Sequence, residues 1–412
     1  MFESEVNPDN IKKAELVVAI PSYNEAESIT YPVFQASEGL FRYFRDKSSV
    51  IINCDNNSPD DTKKAFLETQ TKVPKLYLST QPGVKGKGNN LRNLFRKVVE
   101  LSAKAIVVVD ADLKSITPEW IKHLAEPLFN DFSYAAPLYV RHKYDGTITN
   151  GIAYPLSRAL YGRRVRQPIG GDFGFSGDLA CTYLESDIWD EAIANFGIDI
   201  WMTTIALSQG AAVCQSFMGR PKIHRPKDPA AALGPMFRQV VGTLFSMACR
   251  FDAFWLRVKY SKPTAIYGFG LGEVEMPPKV DVDMELLLNE FRRGFQEYSA
   301  VWECIFSRDL YAKLIEIRGM KRAVFTFPTD LWARLLYDTA VSYRQRVCDL
   351  DLMMDALIPL YFGRTFSFVK KTKRMSTRQA EEAIEEDCLT FEMTKPYFVK
   401  KWTEKVSAQA PA

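Results

Sequence analysis

Two aspartates separated by one alanine, Asp110-Ala111-Asp112, close the apolar run Ala105-Ile-Val-Val-Val109. Carboxylates so spaced suit a divalent cation, or divide their work between a cation and a ribose, because alternate residues of an extended segment point the same way. Taken alone, the pair also reads as solvated loop acids or as a cap for a helix opening at Pro118. A second chemical stretch is the basic, glycine-rich turn Gly83-Val-Lys-Gly-Lys-Gly88, which carries Lys87 into a helical pattern. Such a turn can cradle a diphosphate at a helix start; it lacks Walker spacing, and an ordinary flexible turn fits it as well. Asp199 stands among Phe196, Ile198, Ile200 and Trp201, where a buried acid needs a reason and a helix N-cap would supply one. His224, one of three histidines, lies in the polar loop Pro221–Asp228, as a solvated side chain or a metal ligand.

The elements that must position these residues are short apolar runs alternating with helical patterns. Leu16–Ile20 is a strand ending at Pro21, followed by the polar Ser22-Tyr-Asn-Glu-Ala-Glu-Ser28. Val50–Ile52 is a second strand; after it Ser58 reads as an N-cap, Pro59 as the first helical residue, and Asp60 and Asp61 as favoured by the helix dipole. Leu76–Leu78 is a third, and Ala105–Leu113 a fourth, rich in β-branched residues as a parallel strand covered on both faces should be. Between them run helical patterns through Val33, Phe34, Leu40, Phe41 and Phe44, and through Leu91, Leu94, Phe95, Val98 and Val99. This alternation predicts a doubly wound α/β half, whose ligands gather at the carboxyl ends of the strands. Beyond it, Arg141–Asn150 reads as a polar loop, and Gln167-Pro-Ile-Gly-Gly-Asp-Phe-Gly-Phe175 as a loop fitted over a ligand or packed at a tight turn. Residues 230–412 look mostly helical and carry no chemical motif; their aromatics suit a core or a dimer interface, and the terminal Ala408–Ala412 should fray.

Bulk properties set limits. A chain of 412 residues suits two or three units, and 53 basic against 50 acidic residues, a formal charge of +3, do not suggest a protein that coats nucleic acid or an anionic membrane. Seven scattered cysteines without a Cys-x-x-Cys pair fit a reduced, cytoplasmic setting. The amino terminus carries acids where a signal peptide carries bases, and no apolar run is long enough to span a bilayer.

Together, Ile20-Pro-Ser-Tyr-Asn-Glu25, Cys54-Asp-Asn-Asn-Ser-Pro-Asp60, Gly86-Lys-Gly88 and Asp110-Ala-Asp112 fall in the order and spacing of a GT-A glycosyltransferase, and the chain resembles that class, with family-two-like motifs at its start. Gln167-Pro-Ile-Gly-Gly171, Gly197-Ile-Asp199 and His224-Arg225 are similar to segments of the retaining enzymes that make glucosyl-3-phosphoglycerate and mannosylglycerate. The resemblance implies a Rossmann-like GT-A catalytic domain over residues 1–228 that binds nucleotide sugar and acceptor. It leaves 229–412 as a mainly α-helical region offering a homodimer interface.

By the same resemblance Pro21, Tyr23 and Glu25 would line the nucleotide site, Asp55 would hold the base or its neighbourhood, and Lys87 would reach the diphosphate. Asp110 and Ala111 would serve the ribose side, while Asp112 and His224 would ligate a divalent metal, Mg²⁺ or Mn²⁺, that makes the nucleoside diphosphate a better leaving group. Gly170 and Gly171 would admit donor sugar and acceptor, and Asp199 would orient groups near the acceptor hydroxyl. The acceptor loop departs from the phosphoglycerate enzymes: Gly146-Thr-Ile-Thr149 has Thr147 where they carry an arginine, which weakens the case for a phosphate. Arg141 resembles an arginine before the acceptor loop of the mannosylglycerate enzymes and could hold a carboxylate. The function implied is retaining transfer of a hexose to glycerate or 3-phosphoglycerate. One rival is an inverting family-two transferase acting on a saccharide or lipid, with Asp199 as base. The other is a nucleotide-binding module without catalysis, which the presence of Lys87, Asp110, Asp112 and His224 opposes.

Overall fold

The computed structural model describes residues 4–224, 229–268 and 275–404; Arg225 and the terminal Ala408–Ala412 lie outside the described residues. The chain divides into two units, one of Met1–His142, Arg163–Thr243 and Pro263–Lys279, the other of Lys143–Gly162, Leu244–Lys262 and Val280–Ala412. The sequence suggested a single break at 228. Instead, residues 143–162 belong with the C-terminal helices, because long-range polar contacts bind them there.

The first unit is built on nine strands: β1 (Ser4–Val6), β2 (Leu16–Ser22), β3 (Ser49–Asp55), β4 (Lys75–Ser79), β5 (Ala105–Val108), β6 (Tyr134–Leu138), β7 (Phe173–Ser176), β8 (Val213–Phe217) and β9 (Ala265–Tyr267). Their order is β1-β4-β3-β2-β5-β7-β6-β8-β9. Strands β4, β3, β2 and β5 are parallel; β7 runs antiparallel to both β5 and β6, and β6, β8 and β9 are again parallel. The four strands expected from the sequence all form, and β5 stands at the seam between the parallel half and the mixed half. All seven residues of β2 are buried. Its Leu16, Val18 and Ile20 join Val33, Leu40, Trp120 and Leu124 in one apolar cluster. Fully burying such a side chain stabilises by roughly 1.5–3 kcal/mol. The helix Lys87–Glu100 buries Leu91, Leu94, Phe95 and Val98, with the Phe95 ring centroid 5.7 Å from that of Phe175 in β7, while Val99 is 39% exposed and lies off that face.

The strand carrying the two aspartates is shorter than expected. Regular pairing of β5 ends at Val108, and a last bond from Val109 N–H to Ala19 C=O precedes a turn. Asp110 and Asp112 therefore sit on that turn, where period-two alternation no longer forces them toward one partner.

In the second unit the helices Thr329–Gln345, Leu350–Thr372 and Thr377–Thr403 are the longest wholly its own. The helix Tyr154–Tyr161 belongs here because Arg158, 1% exposed, pairs with Glu385 and Glu392. Lys143 Nζ donates to the carbonyls of Thr372 and Met375 at 2.8 and 2.7 Å, closing the end of the Leu350–Thr372 helix. Among the described residues no helix is long and apolar enough to cross a membrane.

Candidate active site

Lys87 opens its helix at the carboxyl end of the parallel strands. The start is fixed by a short chain of amides: Gly86 N–H donates to Asn56 Oδ1 at 3.0 Å, Asn56 Nδ2 to Asn90 Oδ1 at 2.8 Å, and Asn90 Nδ2 to Ser22 C=O at 3.1 Å. The flanking glycines have a reason that neither a phosphate cradle nor a flexible turn anticipates. A Cβ at Gly86 would lie 2.3 Å from Ala194 C=O, and one at Gly88 would lie 1.9 Å from Ile193 C=O. The turn is pressed against the backbone that leads into the helix Ile198–Ser208, and this brings Lys87 to Asp199.

Lys87 Nζ lies 3.0 Å from Asp110 Oδ1 and 3.2 Å from Asp199 Oδ1, and it donates to Gly171 C=O at 3.0 Å. Asp199 is not the N-cap of its helix; Gly197 holds that position, and Asp199 in the first turn makes an ion pair instead. Burial raises the Asp199 carboxyl above its ordinary pKa, with Asp110 pushing the same way and Lys87 against it. For Lys87 burial acts downward, but the two acids outweigh it and the ammonium is held above its ordinary value. Asp110 is held well below the usual carboxylate range: burial opposes this, and Lys222 and Lys87 overcome it.

Lys222 and Asp172 were not singled out by the sequence. Lys222 Nζ lies 2.8 Å from Asp110 Oδ2 and 2.9 Å from Asp172 Oδ2, and it donates to Gly170 C=O at 2.7 Å. Asp172 is fully buried; it accepts from Asp110 N–H at 2.9 Å and from the hydroxyl of Tyr139. Burial, followed by the Asp172 charge, pushes the Tyr139 hydroxyl well above its ordinary pKa, so it stays a neutral donor. The signal for Lys222 was its place two residues before His224 in an extended segment, and that for Asp172 was an acid directly after two glycines.

Asp112 is 3% exposed, which sets aside the solvated-acid reading, and Thr117 rather than either aspartate holds the N-cap before Pro118. His224 Nδ1 lies 3.0 Å from Asp112 Oδ1. The pair is brought together by a bridge between Leu113 and His224, a bond from Lys114 N–H to Ile223 C=O at 2.8 Å, and one from Ile223 N–H to Ser115 Oγ at 2.9 Å. Two ligands of one octahedral cation, each about 2.1 Å from it and at a right angle, would stand about 3.0 Å apart, so the donor set fits a divalent ion. Among the described residues no group of three or more His, Cys, Asp or Glu side chains is placed to hold a metal ion; an ion held by Asp112 and His224 would take its other ligands from substrate oxygens and water.

Of the residues expected to line the nucleotide site, Pro21 is buried within β2, which runs on to Ser22, the Tyr23 ring has Lys85 Nζ 4.7 Å from its centroid, and Glu25 is 8% exposed. The Glu25 N–H donates to Thr62 Oγ1 at 2.8 Å. Asp55 accepts from Ser22 Oγ at 2.8 Å, Ser58 Oγ at 2.6 Å, Ser58 N–H at 2.7 Å and Tyr77 Oη at 2.9 Å. These bonds fill the roughly four lone-pair sites of a carboxylate, so Asp55 is committed to its protein neighbours. They also explain why Ser58 is no N-cap: its side chain is turned to Asp55, and the helix starts at Thr62 after Asp61. Ala111 packs in the apolar core.

Protein neighbours alone already require glycine at 170 and 171. A Cβ at Gly170 would lie 2.4 Å from Pro137 Cγ; at Gly171, whose φ is +84°, it would lie 2.6 Å from Lys222 Nζ and 2.8 Å from Asp110 Oδ2. Gly171 is what lets that ion pair close. The Arg141 guanidinium lies 5.3 Å from the ring centroid of Tyr139, whose hydroxyl bonds Asp172 in the cluster. Gly146, Thr147 and Thr149 belong to the helical unit, where the Thr147 hydroxyl bonds that of Tyr361 and Thr149 is buried in a π-helical turn.

Residues 17–178 match Glycosyl transferase family 2. Glucosyl-3-phosphoglycerate synthase from Mycobacterium tuberculosis is similar in solved structures. Its complex with Mn²⁺, uridine diphosphate and glucosyl-3-phosphoglycerate matches at 21% identity over 57% of this chain and 80% of that one, with a TM-score of 0.45. Its complex with Mn²⁺, UDP-glucose and phosphoglyceric acid matches at 20% identity over 57% and 79%, with a TM-score of 0.43. A structure described as a mycobacterial protein matches at 24% identity over 57% and 74%, with a TM-score of 0.44. No curated protein matches. Residues 17–178 carry a glycosyl transferase family 2 domain, the kind of domain that acts on a nucleotide sugar.

Proposed function

We propose that the chain transfers a hexose from a nucleoside diphosphate sugar to a small hydroxy acid, glycerate or 3-phosphoglycerate, with retention and with a divalent metal. The observation that carries the metal-assisted part is the pairing of Asp112 with His224 at 3.0 Å, beside a carboxylate and lysine cluster. Mg²⁺ or Mn²⁺ bound there would neutralise the diphosphate and ease its departure. Asp112 and His224 would hold the ion, and Lys87 would approach the diphosphate from the other side, leaving one of its two acids as it does so.

What Asp199 faces supports retention. Its carboxylate is bound to Lys87, which suits it to orient and balance charge; the departing phosphate oxygen would then take the acceptor proton on the same face. One observation favours the inverting alternative: the raised Asp199 pKa would suit a general base. The acceptor class rests on Arg141, which would hold a carboxylate, and on the resemblance of Gly146–Thr149 to an acceptor loop. The test is a transfer assay with UDP-glucose and other nucleotide sugars, both acceptors and Mn²⁺, with the product anomer read by NMR. Retention with either acceptor supports the reading, inversion overturns the stereochemical part, and no transfer to either overturns the acceptor.

A further inference from the structure

We propose that Lys222 is a positioning residue that withholds Asp110 from the metal, so that only Asp112 and His224 of the protein take the ion. The inference rests on the metal reading above and deepens it.

Two rungs face each other across the site. Asp110 and Asp112 are two residues apart on one segment, Lys222 and His224 two apart on the other; Lys222 meets Asp110 at 2.8 Å and His224 meets Asp112 at 3.0 Å. One rung thus ends in an ammonium and the other in an imidazole. The ammonium is saturated, since Asp110 Oδ2, Asp172 Oδ2 and Gly170 C=O lie within 2.9 Å of Nζ and a lysine has three protons to give. Lys87 covers the other oxygen of Asp110 at 3.0 Å. Each oxygen of Asp110 therefore faces its own lysine. The Lys222 side chain is 3% exposed and Gly171 leaves no slack beside it, so this lysine is built in rather than passing through.

Charge accounting points the same way. By formal charge, four carboxylates, Asp110, Asp112, Asp172 and Asp199, stand against the two lysines Lys87 and Lys222, a surplus of two negative charges that one divalent cation balances. Without Lys222 the surplus would be three and Asp110 could join the metal shell. Lys222 thereby holds metal affinity down in the free enzyme, leaving the ion to be secured by the diphosphate that arrives with the donor.

The test is Mn²⁺ binding without nucleotide, read by the EPR signal of free Mn²⁺, on wild type, Lys222→Met, Lys222→Arg and His224→Ala. Lys222→Met is expected to bind Mn²⁺ about tenfold more tightly than wild type, since a neighbouring positive charge has gone, while Lys222→Arg, which keeps that charge, stays within about twofold. A folded Lys222→Met binding as wild type or more weakly overturns the proposal. Should its melt show loss of fold, Lys222→Met/Asp172→Asn, which removes the stranded acid and leaves the net charge unchanged, is expected to tighten binding through the freed Asp110 alone, and binding as wild type or more weakly overturns the proposal. The metal reading itself is judged by His224→Ala: binding equal to wild type defeats that reading, whereas His224-dependent binding without tightening in Lys222→Met defeats only the present inference.

Discussion

The carboxylate of Asp199 and the ammonium of Lys87 lie 3.2 Å apart across 112 residues of chain. Each stands in the first turn of its own helix, and the two turns are locked by glycines that admit backbone to within contact distance. Lys87 is thereby held between Asp199 and Asp110 and must trade one of them for any phosphate it meets.

Asp199→Asn tests the orienting role. Turnover is expected to fall at least about a hundredfold, the scale of losing a preorganised electrostatic group. Nucleotide affinity should stay within about threefold, because Asp110 still holds Lys87. Steady-state kinetics beside nucleotide titration separates the two; equal losses in both would count against the assignment.

The same substitution has a stability signature. Burial raises the Asp199 pKa above its ordinary 3.8. A carboxylate raised on folding binds more protons in the folded than in the unfolded state across that window, so its contribution falls as pH rises through it and is unfavourable in full above it. Asp199→Asn is therefore expected to melt above wild type at about pH 7, with the gap closing toward about pH 4. A variant that melts lower throughout would show that the Lys87 pair outweighs burial.

Removal of divalent ions is expected to abolish transfer and their return to restore it. His224→Ala should raise the metal concentration needed for half-maximal activity by more than the roughly 10–100-fold that outer partners of a metal site carry. Metal titrations of activity, with and without a chelator, check this; full activity in chelator sinks it.

Much of the sheet was legible because β2, β3 and β5 are buried on both faces and so read as unbroken apolar runs. Lys87, Asp110, Asp112, Asp199 and His224 could be singled out as candidates by type and spacing, each with an ordinary use as cap, turn or solvated side chain beside the chemical one. Partnership was not legible. Nothing local says that Ser58 turns to Asp55 instead of capping, or that Asp199 prefers Lys87 to its own helix start. Lys222 was hidden because a lysine in a polar loop looks solvated until folding buries it against Asp172. The boundary was hidden too, since a segment sequence-adjacent to one unit can be bound by distant charges to another, as Arg158 is by Glu385 and Glu392.

Gly171→Ala is expected to destabilise the first unit and cripple activity together. The new Cβ would sit 2.6 Å from Lys222 Nζ at a φ of +84°, so backbone strain and a forced ion pair add. Breaking a buried pair costs about 3–5 kcal/mol. Gly210→Ala isolates the backbone part, since at its φ of +72° a Cβ meets nothing within 4 Å; its loss should be only about 1–2 kcal/mol, the cost of a left-handed residue with a side chain. Denaturant melts of both variants check the comparison, and similar losses would mean that the Lys222 contact is easily relieved.

In the helical unit, Arg158→Leu should cost about 3–5 kcal/mol, because it strands Glu392, whose side chain is 14% exposed, and strips Glu385 of its partner. If the penalty comes from the stranded acid, removing that acid should relieve it: Arg158→Leu/Glu392→Leu is expected to recover much of the loss, as apolar replacement of buried ion pairs often does. Were the arginine needed for its packing alone, the second substitution would add a cavity and deepen the loss. Hydrogen exchange over residues 143–162 reads the same contest locally. This segment holds Gly146, Thr147 and Thr149, and it should exchange faster in Arg158→Leu and return toward wild type in the double variant; exchange unchanged in both would mean that Lys143 and Tyr361 alone secure it.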